Sequence, residues 1–334
     1  MIDQFVERIT AMQVLNRSNP FAASLMTAVA IVALLGLTSA CGNTSSGQAQ
    51  NASTQEEMTA SSSESWDAVG QAIGKQGKVM KGDVYRIDLP RSDLEVTSQG
   101  VEIKPALSLG SYLAFKDMGD GNTMVMGDLV LTEDEYNKVI SELQEANIGQ
   151  TVVHKHLLQE SPAIWWTHIQ GTGDPVAMAK SIRSALDLTG TPFTEPSSSE
   201  SEDMGFDTGQ LDQTIGHTGQ SQGGIYKYSI GRADSVTEDG MELPAAMGIS
   251  TALNFQPTGG GKAAINGDFA MTEEEVDSVI QALRENDIQV VSLHNHMLNE
   301  EPRIFFMHFW ANDDAQKLAQ GLRAALDKTN SAKE

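Results

Sequence analysis

The feature that most constrains the fold of this chain is an internal repeat with an offset of 140 residues. The segment HKHLLQESPAIWWTH begins at His154, and its counterpart HNHMLNEEPRIFFMH begins at His294. Without gaps, 14 of 40 positions are identical between Gln150–Thr189 and Val290–Thr329. Weaker matches extend upstream, so that each copy covers about 120 residues, an ordinary domain length. We therefore predict two tandem copies of one domain that pack on each other.

The repeat divides the chain of 334 residues into five segments. Two of these are rich in Ser, Thr and Glu and low in apolar residues, which is typical of flexible tethers. The predicted layout is a signal peptide at 1–41, a tether at 42–65, the first copy at 66–192, a linker at 193–205 and the second copy at 206–330.

Within each copy the hydrophobic pattern predicts an α+β domain. A buried strand precedes a helix that begins with a Thr-x-x-Glu capping box at Thr132 in the first copy and Thr272 in the second. Two more strands and a helix capped by Asp174 follow. This β-α-β-β-α order, preceded by shorter strands, resembles the ferredoxin-like split motif. For the first copy we predict strands at Thr123–Leu131, from about Thr151 to Leu158, and at Ala163–Ile169.

Each copy carries a His-x-His pair and a third histidine. Alternate residues of a strand point to the same face, so His154 and His156 are expected to share a face. If His168 lies directly opposite His154 on the return strand, three imidazoles converge in the first copy. Such a group could bind zinc, with a fourth position open to water, or copper, nickel or iron. The candidate metal ligands are His154, His156, His168, His294, His296 and His308.

Two glutamates near the histidines could give these groups a catalytic role. Glu160 and Glu300 each lie four residues after the His-x-His pair and could act as a fourth ligand or a general base. A metal-bound water would then make the protein a metal-dependent hydrolase of the cell envelope. Both glutamates lie beside a turn proline, which favours an exposed turn carboxylate. The histidines could also be structural, in a scaffolding or interaction module that is not an enzyme.

Composition excludes several other functions. The formal net charge of -23 argues against nucleic acid as a partner, because phosphate binding requires clustered Lys and Arg. The only cysteine is Cys41, so the chain can form neither an internal disulfide nor a cysteine-based zinc site. No Gly-x-Ser-x-Gly elbow is present, and a serine or cysteine hydrolase therefore has no support.

The N-terminal segment predicts export and membrane anchoring. Phe21–Leu37 is uncharged and apolar, Arg8 and Arg17 precede it, and small residues lead to Cys41. This pattern resembles a lipobox, in which the cysteine is lipidated and becomes the mature N-terminus. An uncleaved membrane anchor is the alternative. Either version places the remainder of the chain outside the cytoplasmic membrane, attached to it at its N-terminus.

These features together resemble the LppY/LpqO family of bacterial lipoproteins. The resemblance runs from about Trp66 to Thr329 and is most specific in HNHMLNEEPRIFFMHFW, which begins at His294. The first copy departs from this motif, with Lys155 in place of Asn295. The family is one of unknown function, so the resemblance implies an envelope location and a two-copy layout but no reaction. We expect a lipoprotein that binds a small molecule, a cell-wall ligand or a transition metal such as zinc.

Overall fold

The computed structural model describes residues 66–119, 121–194 and 203–333. The predicted signal peptide with Cys41, the tether and most of the linker lie outside the described residues. Among the residues that are described, none of the helices has the length and apolar character needed to cross a membrane.

The first copy begins with helix α1 at residues 66–73. Its remaining elements, in chain order, are β1 (Lys78–Met80), β2 (Val84–Pro90), β3 (Thr97–Ser98), β4 (Val101–Glu102), α2 (Pro105–Ser108), β5 (Gly110–Gly119), β6 (Asn122–Thr132), α3 (Glu133–Glu145), β7 (Gly149–His154), β8 (Glu160–Ser161), β9 (Ile164–Gly173) and α4 (Pro175–Leu186).

The second copy repeats this order, with a short 3₁₀ helix at Ala245–Met247 in place of α2 and an isolated bridge between Thr237 and Glu301 in place of β8. Its elements are α5 (Thr208–Ile215), β10 (Gln220–Gln222), β11 (Ile225–Ile230), β12 (Thr237–Glu238), β13 (Met241–Glu242), β14 (Thr251–Gly259), β15 (Lys262–Met271), α6 (Glu273–Glu285), β16 (Gln289–His294), β17 (Phe305–Asp314) and α7 (Ala315–Leu326).

The two copies build equivalent antiparallel sheets of six strands. The strand order is β1-β2-β5-β6-β9-β7 in the first and β10-β11-β14-β15-β17-β16 in the second. Because β9 is antiparallel to both of its neighbours, β6 and β7 run parallel with β9 between them. This is the split β-α-β arrangement. The prediction of two repeated α+β domains is confirmed.

The helix starts follow the chemistry predicted from the sequence. Reciprocal capping boxes join Thr132 to Glu135 at α3 and Thr272 to Glu275 at α6. The carboxylate of Asp174 accepts a hydrogen bond from the backbone N–H of Ala177 and caps α4. These bonds satisfy backbone N–H groups that have no partner within the helix, which fixes where each helix leaves its sheet.

Each sheet is covered on both faces. On one face α1, α3 and α4 pack on the first sheet, and α5, α6 and α7 pack on the second. On the other face the buried side chains come from both copies, as when Met124 and Met126 of β6 pack in one cluster with Met297 and Phe306. The central strands β6 and β15 are therefore buried almost throughout. The layers follow one another as helices, sheet, sheet and helices. The core between the two sheets contains side chains of both copies.

Candidate metal centre

The histidines lie where β7 and β16 end and on the neighbouring strands β9 and β17. His154 is the last residue of β7, and His156 lies in the following loop rather than on a strand. The predicted extension of this strand to Leu158 is therefore wrong. The predicted register is also wrong by two residues, because His154 pairs with Trp166 and His168 pairs with Val152. A shift of two keeps each side chain on its face, so His168 still faces the same side as His154.

The six candidate histidines meet in one place. Ring centres are 4.1 Å apart for His154 and His294, which occupy equivalent positions in the two copies. The ring of His156 lies 3.8 Å from that of His308. Instead of one group in each copy, as the sequence predicted, the structure forms a single cluster between the two sheets. We call these six residues, together with Asp128 and Asp268, the histidine centre.

The side chains of the centre are removed from solvent. The exposed fraction is 5% for His154, 4% for His168 and 8% for His294. Burial, followed by repulsion among the imidazoles, holds the pKa of these three histidines well below its usual value. The pKa values of His156 and His308 are lowered as well, again mainly by burial. These five imidazoles are therefore neutral near pH 7, which is the form that binds a metal ion.

Backbone carbonyl groups orient several of the rings. Nδ1 of His308 donates to the carbonyl of Gly267 at 2.7 Å, and Nδ1 of His296 donates to that of Gly248 at 2.7 Å. His168 makes the equivalent backbone hydrogen bond at Gly127. A ring whose Nδ1 donates to a carbonyl presents Nε2 as an acceptor, which is the tautomer found in metal-bound histidines.

Two aspartates, which the sequence analysis did not select, complete the centre. Asp128 Oδ2 lies 3.3 Å from Nε2 of His156, and Asp268 Oδ2 lies 3.2 Å from Nε2 of His296. Burial raises the pKa of Asp128 well above its usual value, and the nearby Asp268 carboxylate raises it further. The signal was present in the sequence, because each aspartate is a charge in the interior of an apolar strand and both copies retain the Gly-Asp pair.

Many polar atoms of the centre are buried without a hydrogen-bond partner. They are Nδ1 of His154 and His294, Nε2 of His168, His294, His296 and His308, and Oδ1 of Asp128 and Asp268. Such atoms are rare inside proteins, where each costs about 1 to 3 kcal/mol if it is left without a partner. One nitrogen of His294 carries the hydrogen of its neutral ring, and the other atoms each offer an electron pair that a cation could satisfy.

The spacing of these donors suits a metal ion. Three groups of residues have ligand atoms within 4.8 Å of one another: His154, His168 and His294; His154, His156 and His308; and Asp268, His294 and His308. Each of the first two groups draws histidines from both copies. Imidazole and carboxylate together are the ligands of zinc and of other first-row transition metals.

Aromatic side chains line the centre. The ring of Phe306 is parallel to that of His296, with 3.4 Å between the ring centres, and Trp166 stacks on His156 at 4.6 Å. Both aromatic residues are fully buried. They fix the planes of the imidazoles and exclude water from one side of the centre.

The glutamates suggested by the sequence lie in a different environment. Glu160 forms an ion pair with Lys155, and Glu300 forms one with Arg303. Each also accepts a hydrogen bond from a backbone N–H, from Ile164 in the first copy and Ile304 in the second. Among the described residues, neither glutamate belongs to a group with the spacing of metal ligands. Their role as a fourth ligand or general base stays a prediction.

Polar contacts between the copies hold the histidine loops. Thr151 donates to the carbonyl of His296 at 2.6 Å, and Ser292 donates to that of Lys155 at 2.7 Å. The amide of Asn266 donates to the carbonyl of His156 at 2.7 Å. Each His-x-His segment is therefore held by the opposite copy, and the centre depends on both.

A family model described as Domain of Unknown Function (DUF1259) matches residues 67–188 and 209–328. No curated protein is significantly similar to the chain. Two solved structures align with it over 75% of this chain and 88% of their own. They are the trimeric bacterial microcompartment shell protein PduB, at 14% identity and a TM-score of 0.19, and EtuB from Clostridium kluyveri, at 10% and 0.18. At these scores neither alignment supports an inference about this chain.

Proposed function

Because the chain belongs to the family described as Domain of Unknown Function (DUF1259), of which it contains two copies, we propose that its function resides in the centre that both copies form. This centre binds a divalent transition metal. The observation that carries the proposal is the set of buried nitrogen and oxygen atoms without hydrogen-bond partners in one cluster of six imidazoles and two aspartates.

The two carboxylates strengthen the case for a cation. Asp128 and Asp268 are close enough for each to affect the other electrostatically, and both are buried. Two buried carboxylates near each other repel unless a proton or a metal ion lies between them. A divalent ion would remove this repulsion and satisfy the unpartnered nitrogens in the same step.

The ligands do not by themselves select one metal. Imidazole suits zinc, copper, nickel and iron, and the absence of cysteine among the ligands makes a thiolate-type copper(I) site inapplicable. A bound ion would act on small molecules, since the side chains around it are buried and leave no room for a polymer chain without movement of the histidine loops. The centre therefore favours binding or activating a small ligand over cleaving a cell-wall polymer.

Metal analysis tests the proposal directly. The chain is purified without a polyhistidine tag, together with a His294→Ala/His296→Ala variant and a matched His217→Ala control that removes a histidine outside the centre. We expect a bound transition metal in the parent chain and in the control, and its loss from the double variant. A parent chain that holds no metal, and gains no thermal stability from added zinc, copper, nickel or iron, would refute the proposal.

We further propose that the centre works outside the cytoplasmic membrane. The lipobox-like sequence before Cys41 and the resemblance to the LppY/LpqO lipoproteins support this location. The test is fractionation of cells that express the parent chain or a Cys41→Ala variant, with labelling by a radioactive fatty acid. Label in the parent membrane fraction and none in the variant is expected, and a parent chain found unlabelled in the cytoplasm would contradict the proposal.

A further inference from the structure

Resting on the metal-binding function proposed above, we infer that the histidine centre holds two metal ions, and that each ion is bound by the His-x-His pair of one copy and the third histidine of the other. The inference comes from the way the six rings contact one another. It specifies both the number of ions and the exchange of one ligand between the copies.

The ring contacts of His156 and His296 with other histidines define two trios. His156 contacts the rings of His154 and His308, with centre distances of 4.8 and 3.8 Å, and His154 and His308 are 5.2 Å apart. These three form the first trio. In the equivalent positions of the other copy, His296 contacts His294 at 5.1 Å and His168 at 3.8 Å.

The second trio, His168, His294 and His296, is closed by a distance of 5.9 Å between His168 and His294. The two trios use each histidine once and are related by the internal repeat. Ligands at 2.0 to 2.1 Å from a tetrahedral ion place neighbouring imidazole centres about 5 Å apart. The ligand atoms of the first trio lie within 4.8 Å of one another, as those of one ion would, and the second trio is its counterpart in the internal repeat.

A carboxylate accompanies each trio. Asp128 Oδ2 is 3.3 Å from Nε2 of His156, and Asp268 Oδ2 is 3.2 Å from Nε2 of His296. Two ligand atoms on one tetrahedral zinc ion are about 3.3 Å apart. Nε2 of His296 has no hydrogen-bond partner although this oxygen is close, so the pair has the spacing of two ligands rather than the geometry of a hydrogen bond. Each ion would thus have three imidazoles and one carboxylate.

The two ion positions are adjacent. His154 of the first trio stacks on His294 of the second with 4.1 Å between ring centres, and the carboxylates of the two trios interact electrostatically. A pair of metal ions a few ångströms apart can hold one small ligand, such as hydroxide, between them. The ligand class that fits the buried centre is therefore a small bridging anion or water.

The experiment counts the ions and measures the coupling between them. The chain is freed of metal with a chelator and titrated with Cu²⁺ or Co²⁺, and the same titration is made on His308→Asn, His168→Asn and His217→Ala. We expect two ions in the parent and in His217→Ala, and one ion in each of the other two variants. Electron paramagnetic resonance should show coupled spins in the loaded parent and an uncoupled signal in the one-ion variants.

The outcomes separate this inference from the function on which it rests. One ion in the parent, lost completely from either His308→Asn or His168→Asn, would overturn the two-ion centre and leave metal binding intact. Two ions with no spin coupling in the parent would also overturn it, and this measurement needs no variant to fold. A parent that binds no metal would refute the proposed function itself.

Discussion

The neutral buried imidazoles predict a steep loss of stability when the metal-free protein is acidified. Folding lowers the pKa of five histidines below the ordinary value of 6.5, first through burial and then through repulsion among the rings: His154, His156, His168, His294 and His308. Between the folded and unfolded pKa values, these rings are neutral in the folded protein and protonated in the unfolded chain. The stability is thus fully present above pH 6.5 and is lost as the pH falls below it.

The magnitude follows from counting protons. Each proton taken up on unfolding changes the free energy of unfolding by about 1.4 kcal/mol per pH unit. Asp128 acts in the opposite direction, because its raised pKa lets it hold a proton in the folded protein at pH values where the unfolded chain has lost it. On unfolding, the histidines take up five protons and Asp128 releases one. The free energy of unfolding therefore has a limiting slope of about 5 kcal/mol per pH unit and falls by about 4 kcal/mol between pH 7 and pH 5.5. This is a large part of the 5 to 15 kcal/mol that stabilises an ordinary domain.

The assay is urea unfolding followed by tryptophan fluorescence, at a series of pH values between 7 and 5.5 and with a chelator present. The pH slope of the free energy of unfolding should correspond to one proton fewer in a His168→Gln variant. In a His217→Ala variant the slope should equal that of the parent. A decline smaller than one proton's share, about 1.4 kcal/mol per pH unit, would mean that the imidazoles are protonated in the folded protein. The reasoning from burial would then be refuted.

Three substitutions test the supports of the centre. Thr272→Ala removes the capping box of α6 and should lower the free energy of unfolding by about 1 kcal/mol in urea titrations, whereas no change would argue against the cap. Gly267→Ala places a Cβ on the carbonyl of Ala252 and displaces the carbonyl that holds His308. We expect lower thermal stability and lower metal content, and a parent-like melting temperature would contradict this. Phe306→Ala should cost about 3 to 5 kcal/mol of unfolding free energy by leaving a cavity beside the centre, and a cost below 1 kcal/mol would contradict the observed packing.

Local structure was predictable because it depends on neighbouring residues. The capping boxes at Thr132 and Thr272 needed only four consecutive residues, and both are present. The apolar run around Thr123–Leu131 predicted a buried strand, since apolar residues at consecutive positions indicate that both faces are covered. The α+β class follows from such local patterns together with the repeat.

The centre itself was only partly predictable, because it depends on which surfaces face each other. The sequence showed that β6 is buried on both faces but did not say that the second face packs on the other copy. The β7–β9 register was also beyond the pattern, because it depends on the connection between His154 and Ile164, whose conformation the strand periodicity does not give. Asp128 is not predicted by periodicity, because a single charge in an apolar strand shows its meaning only when the match of Gly127-Asp128 with Gly267-Asp268 is considered together with its burial.

The ring pairs that join the two copies have a consequence for the origin of the chain. His156 meets His308 while the equivalent His296 meets His168, which is the reciprocal relation of an interface between identical subunits. A gene that encoded a single copy would build the same interior as a homodimer. In the fused chain, assembly of the two copies does not depend on protein concentration. Each copy can also diverge separately, as at Lys155 and Asn295. A substitution that would be present in both subunits of a homodimer is present here in only one of the two copies.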